Sequence, residues 1–291
     1  MSTTSAAHSG TFLLGGDLPV HRLGYGTMRL VGEGAWGDPS DPEACRQVLS
    51  RAVHLGVTLI DTADAYGPEI AERLIAEALH PYPAGLVIAT KGGITRQGPA
   101  KTEYVGRAGY LIQCVEMSLR RLKLERIDLY QLHRIDPRTP LEESLGALKR
   151  MQEQGKIRYI GLSEVTPEEI EAAQQIVPIV SVQNRYSLAD RRHDATLTWC
   201  EACGIAFMPW YPIAAGKLLQ PSHPAAQTLS RIAATHKATV AQISLAWLLA
   251  RSPVMLPIPG TSRLAHLEEN IAAASLKLSA EDIAALNALP S

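Results

Sequence analysis

Four side chains in this sequence are of the types needed to move a proton to a carbonyl oxygen: Asp61, Tyr66, Lys91 and His133. Asp61 follows the apolar run VTLI in GVTLIDTADAYG, and Tyr66 comes five positions later. Lys91 follows LVIAT, and His133 follows IDLYQL. A phenol is a weak acid, with a pKa of about 10. A nearby ammonium stabilises the phenolate and lowers that value. Lys91 can supply the charge, and Asp61 can pair with Lys91 and hold it. Tyr66 could then hand a proton to a carbonyl oxygen as that oxygen gains negative charge, while His133 shares the oxyanion or orients the substrate. An electron source is also needed. The sequence carries no cysteine–histidine metal cluster, so hydride from a bound organic cofactor is the natural donor.

Singly, each residue has a plainer explanation. An aspartate after a strand is often a cap, a lysine there is usually a solvated charge, and a lone histidine is more often structural. The chemistry therefore requires elements that bring the four together. Short apolar, β-branched runs recur: LGYG (23–26), VTLI (57–60), LVIAT (86–90), IDLYQL (127–132), IRYIGL (157–162), IVSV (179–182), IAFMP (205–209) and VMLPI (254–258). Near-continuous apolar strands suit a parallel sheet covered on both faces. The segments between carry helix signals. Asp41-Pro42 opens one, with Ala44, Val48, Ala52 and Leu55 on one face and Gly56 at the end. Thr139-Pro140 opens another, with Leu141, Leu145 and Leu148 inward, and Thr166 to Glu169 reads as a capping box. Ser279 to Asp282 opens a C-terminal helix by a weaker form of the same rule.

Strand and helix alternating eight times predict an α/β fold, a (β/α)8 TIM barrel. An open doubly wound sheet would need a glycine fingerprint. LGYGTM supplies GxG without the third glycine, and a loop follows. In a barrel every strand ends on one face, where the chemistry sits. Asp61, Lys91, His133, Ser163, Gln183 and Trp210 all follow or end a run, so they should converge.

A length of 291 residues allows two domains of about 150 each, but one α/β barrel also reaches it. Residues 11–291 are expected to form one domain, and residues 1–10 to be disordered. TFLLGGDLPV (11–20) reads as a hairpin plugging the barrel bottom. With 46% apolar and 20% charged residues the chain can bury one large core. A net charge of −1 without a Lys/Arg run gives no electrostatic reason to bind nucleic acid or an anionic membrane. MSTTSAAHSG lacks the features of a signal peptide, and no apolar run approaches the roughly 18 residues of a membrane span. A cytoplasmic location is expected. Cys200 and Cys203 form a CxxC with no second close pair, and read as small apolar residues at a helix end.

LIDTADAYG, IATKGG, YQLHRID, IGLSE, VQNRYS, WYPIAAGKL and IPGTSRLAHLEEN, in that order, resemble the aldo-keto reductase family, in tone its bacterial, pyridoxal reductase-like branch. The resemblance runs from LGYGTMRL to the C-terminal helix. It implies reduction of small aldehydes or ketones with NADPH, on a barrel with an N-terminal hairpin and extra C-terminal helices. It assigns the catalytic tetrad to Asp61, Tyr66, Lys91 and His133, and no metal. By resemblance Ser163 and Gln183 hold the nicotinamide carboxamide, and Trp210 stacks on the ring. Thr27 and Met28 line the nicotinamide ribose, and Tyr211, Pro212, Gly216 and Leu218 lie along the pyrophosphate. Ile258 and Gly260 are also placed on the cofactor, Thr261, Ser262 and Arg263 at the 2′-phosphate, and Glu269 and Asn270 at the adenine. A guanidinium suits a phosphate, so NADPH is expected over NADH.

Four positions, in three departures, differ from the family pattern. Glu164 stands where many members have Asn; it can accept a hydrogen bond from the carboxamide but not donate one. Gly260 and His266 stand where some carry Lys and Arg, and Trp210 replaces a more usual Tyr. The glycine-rich stretch after the first strand (29–41) is expected to bring Trp36 to the substrate pocket beside Met28, Tyr66 and His133, or else to be a plain surface loop. Arg134 either meets an anionic substrate or pairs with Asp136, and the pairing is the favoured reading. The chain stops soon after its last helix, so an open mouth and broad substrate tolerance are expected. A small-molecule carbonyl is the expected partner, with pyridoxal one candidate by resemblance. A monomer is expected, with an oligomer left open. The rival readings are an NADPH-binding partner module with slow turnover, as in potassium-channel β subunits, and a Schiff-base aldolase using Lys91.

Overall fold

The computed structural model describes residues 4–214 and 225–290. Gly15 and Gly16, at φ 60° and 89°, turn the chain between β1 (Thr11–Leu14) and β2 (Leu18–His21). These pair antiparallel, with Thr11 opposite His21. Leu14 and Val20 point into a buried cluster with Leu59, Val87, Leu129 and Leu256, so the hairpin closes one end of the barrel.

The parallel strands are β3 (Tyr25–Gly26), β4 (Leu59–Asp61), β5 (Val87–Gly92), β8 (Ile127–Leu132), β9 (Ile157–Ser163), β10 (Ile179–Gln183) and β11 (Ala206–Phe207). They lie in the order β11-β10-β9-β8-β5-β4-β3. The expected eighth run, VMLPI, closes the circle without a regular ladder. On one side Phe207 N–H donates to Val254 O, and Leu256 N–H donates to Phe207 O, both at 2.8 Å. On the other, Gly24 N–H donates to Pro257 O at 3.0 Å and Gly26 N–H to Pro259 O at 3.3 Å. Pro257 and Pro259 have no N–H to return, so this seam is held by one-way bonds. Alternate strand residues face opposite ways. Leu59, Val87 and Ala89 join the hairpin inside the barrel, whereas Ile60 and Ile88 meet the helices outside.

The helices on the outside are α1 (Pro42–His54), α2 (Ile70–Leu79), α3 (Ala108–Leu122), α4 (Leu141–Glu153), α5 (Pro167–Gln174), α6 (Asp194–Cys203), α7 (Ala226–His236), α8 (Val240–Arg251), α9 (Leu264–Ala272) and α10 (Ala280–Asn287). Asp41 caps α1 through Ala44 N–H at 2.9 Å, and Thr166 and Ser279 form the expected capping boxes. Thr139 does not cap α4; its hydroxyl donates to Asp136 instead, at 3.1 Å. Cys200 and Cys203 are free, at the end of α6. Among the described residues no helix is long and apolar enough to cross a membrane.

Two further features differ from the expectations. Disorder does not extend over residues 4–10. Ala6–Ser9 form a 3-10 turn whose Ala6 N–H donates to Leu55 O, and whose Ser9 hydroxyl accepts from Leu23 N–H. Burial of Ala6 adds to these bonds. The second feature is an additional hairpin, β6 (Ile94–Gly98) and β7 (Lys101–Tyr104), directly after Lys91. It stands at the barrel mouth.

Candidate active site

Strand register brings the expected residues to one rim. Gly26 lies beside Asp61, Asp61 beside Ala89, Lys91 beside Gln131, and Ser163 beside Gln183. Lys91 is fully buried, and all three directions of its ammonium are used: Asp61 Oδ2 at 2.8 Å, Thr62 O at 2.7 Å and the Tyr66 hydroxyl at 3.4 Å. Asp61 Oδ1 accepts from Gln183 Nε2 at 2.8 Å, so Gln183 also serves the tetrad. The rings of Tyr66 and His133 meet edge to face, with centroids 6.0 Å apart. Gly67, at φ 96°, turns the chain from Tyr66 into α2, where a Cβ would come within 2.5 Å of Ile70. Arg96 Nε holds the same loop through Ala65 O at 2.6 Å.

Burial, then the charges of Lys91, Arg134 and Arg96, keep the His133 pKa well below its ordinary value, so the imidazole is neutral. Burial pushes the Tyr66 phenol above 10, against the opposing pull of Lys91. The expected lowering by Lys91 is thus present but outweighed, because a phenolate buried among protein atoms is poorly solvated. Burial also raises the Asp61 carboxyl, against Lys91 and Gln183. Burial acts to lower Lys91, yet Asp61 and Tyr66 outweigh it, and the ammonium is held charged. Asp64, the second acid of DTADAYG, borders a separate cavity with Tyr110, Cys114 and Arg121, and burial, then Glu72, lifts its carboxyl to about 7.

A cleft of about 300 Å³ opens over this cluster. Asp61, Tyr66 and His133 form one wall; Ser163, Gln183, Trp210, Tyr211 and Pro212 form another; Met28, Ile258 and Gly260 adjoin. A second cavity, of about 610 Å³, shares Met28, Arg29, Arg96 and Gly260 and is bordered by Thr261, Ser262, Arg263 and His266. Bare backbone forms the seam between them: a Cβ on Gly260 would come within 2.6 Å of Gly26 O. An extended dinucleotide phosphate fits these residues. An indole ring, a serine hydroxyl and an amide stand at one end. At the other, Arg29, Arg263 and His266 have no carboxylate partner among the described residues.

Other expected positions lie elsewhere. The Thr27 side chain is fully buried without a hydrogen-bond partner, and its backbone N–H donates to Asp61 O at 2.9 Å. Trp36 does not line the cleft. Its segment is tied to Gly67 by backbone bonds, and its side chain is 38% exposed. Glu269 accepts from the Thr239 hydroxyl at 2.6 Å, and Asn270 is buried on α9; neither borders the two cavities. Gly216 and Leu218 lie outside the described residues. Among the described residues no group of three or more His, Cys, Asp or Glu could hold a metal ion.

Glu164 takes partners within the protein itself. Its Oε1 accepts from the Trp210 indole N–H and from Arg185 N–H, each at 2.6 Å. The two departures, Glu164 and Trp210, are therefore a single hydrogen-bonded pair. The Arg185 guanidinium lies 5.7 Å from the Trp210 ring centroid and 4.9 Å from that of Tyr211. Arg134 does not pair with Asp136, which holds Arg138 at 3.1 Å. Its Nη1 donates instead to His133 O at 2.6 Å and to the Ser163 hydroxyl at 2.8 Å. Ile94, Arg96, Thr102 and Tyr104 of the mouth hairpin line the cleft and were not anticipated. The turn residues of RQGPAK, between alternating polar residues, are the signal that marks this hairpin.

A parallel barrel with an Asp–Tyr–Lys–His cluster at its mouth defines a class, and sequence comparison agrees. The chain matches the Aldo/keto reductase family over residues 22–290. It is 48% identical over 286 residues to an uncharacterized oxidoreductase of Schizosaccharomyces pombe, covering 98% of this chain and 92% of the relative. It is 43% identical over 287 residues to pyridoxine 4-dehydrogenase of Escherichia coli, covering 97% and 98% of the two chains. The crystal structure of an aldo/keto reductase from Klebsiella pneumoniae in complex with NADP and acetate superposes with a TM-score of 0.82 at 28% identity, covering 95% of this chain and 94% of that one. The chain belongs to the aldo/keto reductase family of oxidoreductases.

Proposed function

We propose that this protein reduces small aldehydes or ketones to alcohols with NADPH, and that Tyr66 is the proton donor. The observation that carries the reading is the buried Lys91 ammonium, bonded at once to Asp61 at 2.8 Å and to the Tyr66 hydroxyl at 3.4 Å, beside His133 in an open cleft. NADPH, when bound, supplies the hydride. Ser163 and Gln183 would hold its carboxamide, and the Trp210 ring would stack on the nicotinamide. Tyr66 donates its proton to the carbonyl oxygen, and Lys91 stabilises the phenolate that remains. The neutral His133 shares that oxygen through a hydrogen bond and does not compete as the acid.

Arg29, Arg263 and His266 around the second cavity favour a 2′-phosphate, hence NADPH over NADH. The NADP complex of the Klebsiella neighbour supports a nicotinamide cofactor. Residues 11–291 are taken as one catalytic domain. Pyridoxal enters the substrate panel because of the Escherichia coli relative.

The test is a tryptophan-fluorescence titration with NADPH and NADH, followed by a panel of aldehydes. Quenching by NADPH and its oxidation on adding an aldehyde are expected. Tyr66→Phe should lower turnover by about 10²- to 10⁴-fold while NADPH still binds. Equal activity in that variant removes Tyr66 from its role. Quenching without turnover in the native protein would favour an NADPH-binding module instead.

A further inference from the structure

Three guanidinium groups line the cleft with no carboxylate partner among the described residues: Arg29, which also borders the second cavity, Arg134, after β8, and Arg96, on β6. Arg134 is half-buried. Its Nη1 is spent on His133 O and the Ser163 hydroxyl, which fixes the head group and leaves the Nε and Nη2 edge without an acceptor among the described residues. The nearest acid in sequence, Asp136, is occupied by Arg138, Thr139 and Gly106 N–H. Arg96 donates Nε to Ala65 O and Nη1 to Gly34 O at 3.2 Å, so its Nη2 is left over. The acid within the cleft, Asp61, is matched by Lys91 at 2.8 Å. Arg134 and Arg96 act on the reacting groups. Arg134 draws the Tyr66 phenol down, and both help to keep His133 uncharged.

Holding a guanidinium partly out of water without a counter-ion costs free energy, which an anionic ligand would offset. Arg134 does not border the second cavity, where Arg29, Arg263 and His266 stand ready for the cofactor phosphate. Its free edge is therefore in excess of what the cofactor needs. That edge presents two parallel N–H groups, the pattern that matches a carboxylate or a phosphate.

We propose that the substrate is an anionic carbonyl compound, an aldehyde or ketone whose carboxylate or phosphate binds the free edge of Arg134, with Arg96 adding charge from the mouth hairpin. Ile94 and Tyr104 provide apolar surface for the carbon chain between the two ends. The proposal rests on the reductase reading above. The reaction is unchanged: the carbonyl gains a hydride and a proton, NADPH becomes NADP+, and the anionic group keeps all its bonds.

The test compares kcat/KM for two matched pairs at saturating NADPH and low salt: 4-oxobutanoate against butanal, and pyridoxal 5′-phosphate against pyridoxal. The anionic member of at least one pair should be preferred by about tenfold or more, and the pair that shows it separates carboxylate from phosphate. In Arg134→Met that ratio should collapse toward one, and Arg134→Lys should restore part of it, because it keeps the charge without the fork. The ratio cancels any general loss of activity. Should Arg134→Met fail to fold, succinate or inorganic phosphate competing with butanal in the native enzyme is the second readout. Ratios near one in both pairs, a ratio unchanged in Arg134→Met, or no competition by either anion would overturn the proposal, while butanal turnover would leave the reductase reading standing. No NADPH oxidation with any of the four compounds would remove the reductase reading, and the proposal with it.

Discussion

At the scale of single residues, the site is governed by how burial treats charge. Burial raises the Tyr66 phenol above 10, so the acid form needed for reduction persists through neutral pH. The sign follows directly: reduction needs the protonated phenol and should be level from about pH 6 to pH 9, whereas alcohol oxidation needs the phenolate and should rise by about tenfold per pH unit. No inflection near 6.5 is expected from His133, which stays neutral. Initial rates in both directions against pH check this, and a fall in reduction beginning below pH 8 would contradict it. Glu164 offers a second test. It adopts φ 57°, a conformation that asparagine tolerates better, yet its longer side chain reaches the Trp210 indole. Glu164→Asn should therefore raise the NADPH dissociation constant by about tenfold without lowering thermal stability, since a charge-assisted bond is lost while backbone strain is relieved. Glu164→Gln should retain most of the affinity. Fluorescence titration and a melting curve on each variant decide the matter.

At the scale of elements, the barrel seam joins fold to site. Gly26 and the stretch 254–260 close the cylinder, and Gly26, Ile258 and Gly260 also line the cleft. A Cβ on Gly26 would come within 2.7 Å of the Ile258 carbonyl, which is backbone and cannot swing aside. Gly26→Ala should cost about 1–3 kcal/mol in urea unfolding and weaken NADPH binding in parallel. Native-like stability and affinity in that variant would mean that the seam is looser than it looks. Most elements were legible in sequence, because strand runs and capping boxes are local signals. The last run was recognised as apolar, but its prolines make it an incomplete strand. The mouth hairpin was missed because most of its residues are polar and its second strand is exposed, so no core-facing alternation marks it.

At the scale of the whole molecule, the net charge of −1 conceals a local excess of positive charge at the mouth. An NADPH molecule lying along both cavities would touch the first strand, the last run and the chain after β11, and so link segments distant in sequence. At 100 times its dissociation constant, NADPH should stabilise the fold by about 2.7 kcal/mol. NADH at the same concentration should stabilise it less. Urea unfolding with each nucleotide measures both, and equal shifts would argue against selection through the 2′-phosphate. Opposite strand ends converge because parallel strands in a closed barrel must all finish on one rim.

The sequence by itself determined the alternation of strands and helices, which periodicity writes locally, the family, through seven ordered motifs, and which four side chains meet at one rim. Tertiary structure alone decided which partner each side chain takes. Glu164 meets the Trp210 indole, Arg134 turns to Ser163 and away from Asp136, Gln183 holds Asp61, and Trp36 lies outside the pocket. These choices depend on atoms brought together across the barrel, where burial and competing hydrogen-bond partners, and not spacing along the chain, set the outcome.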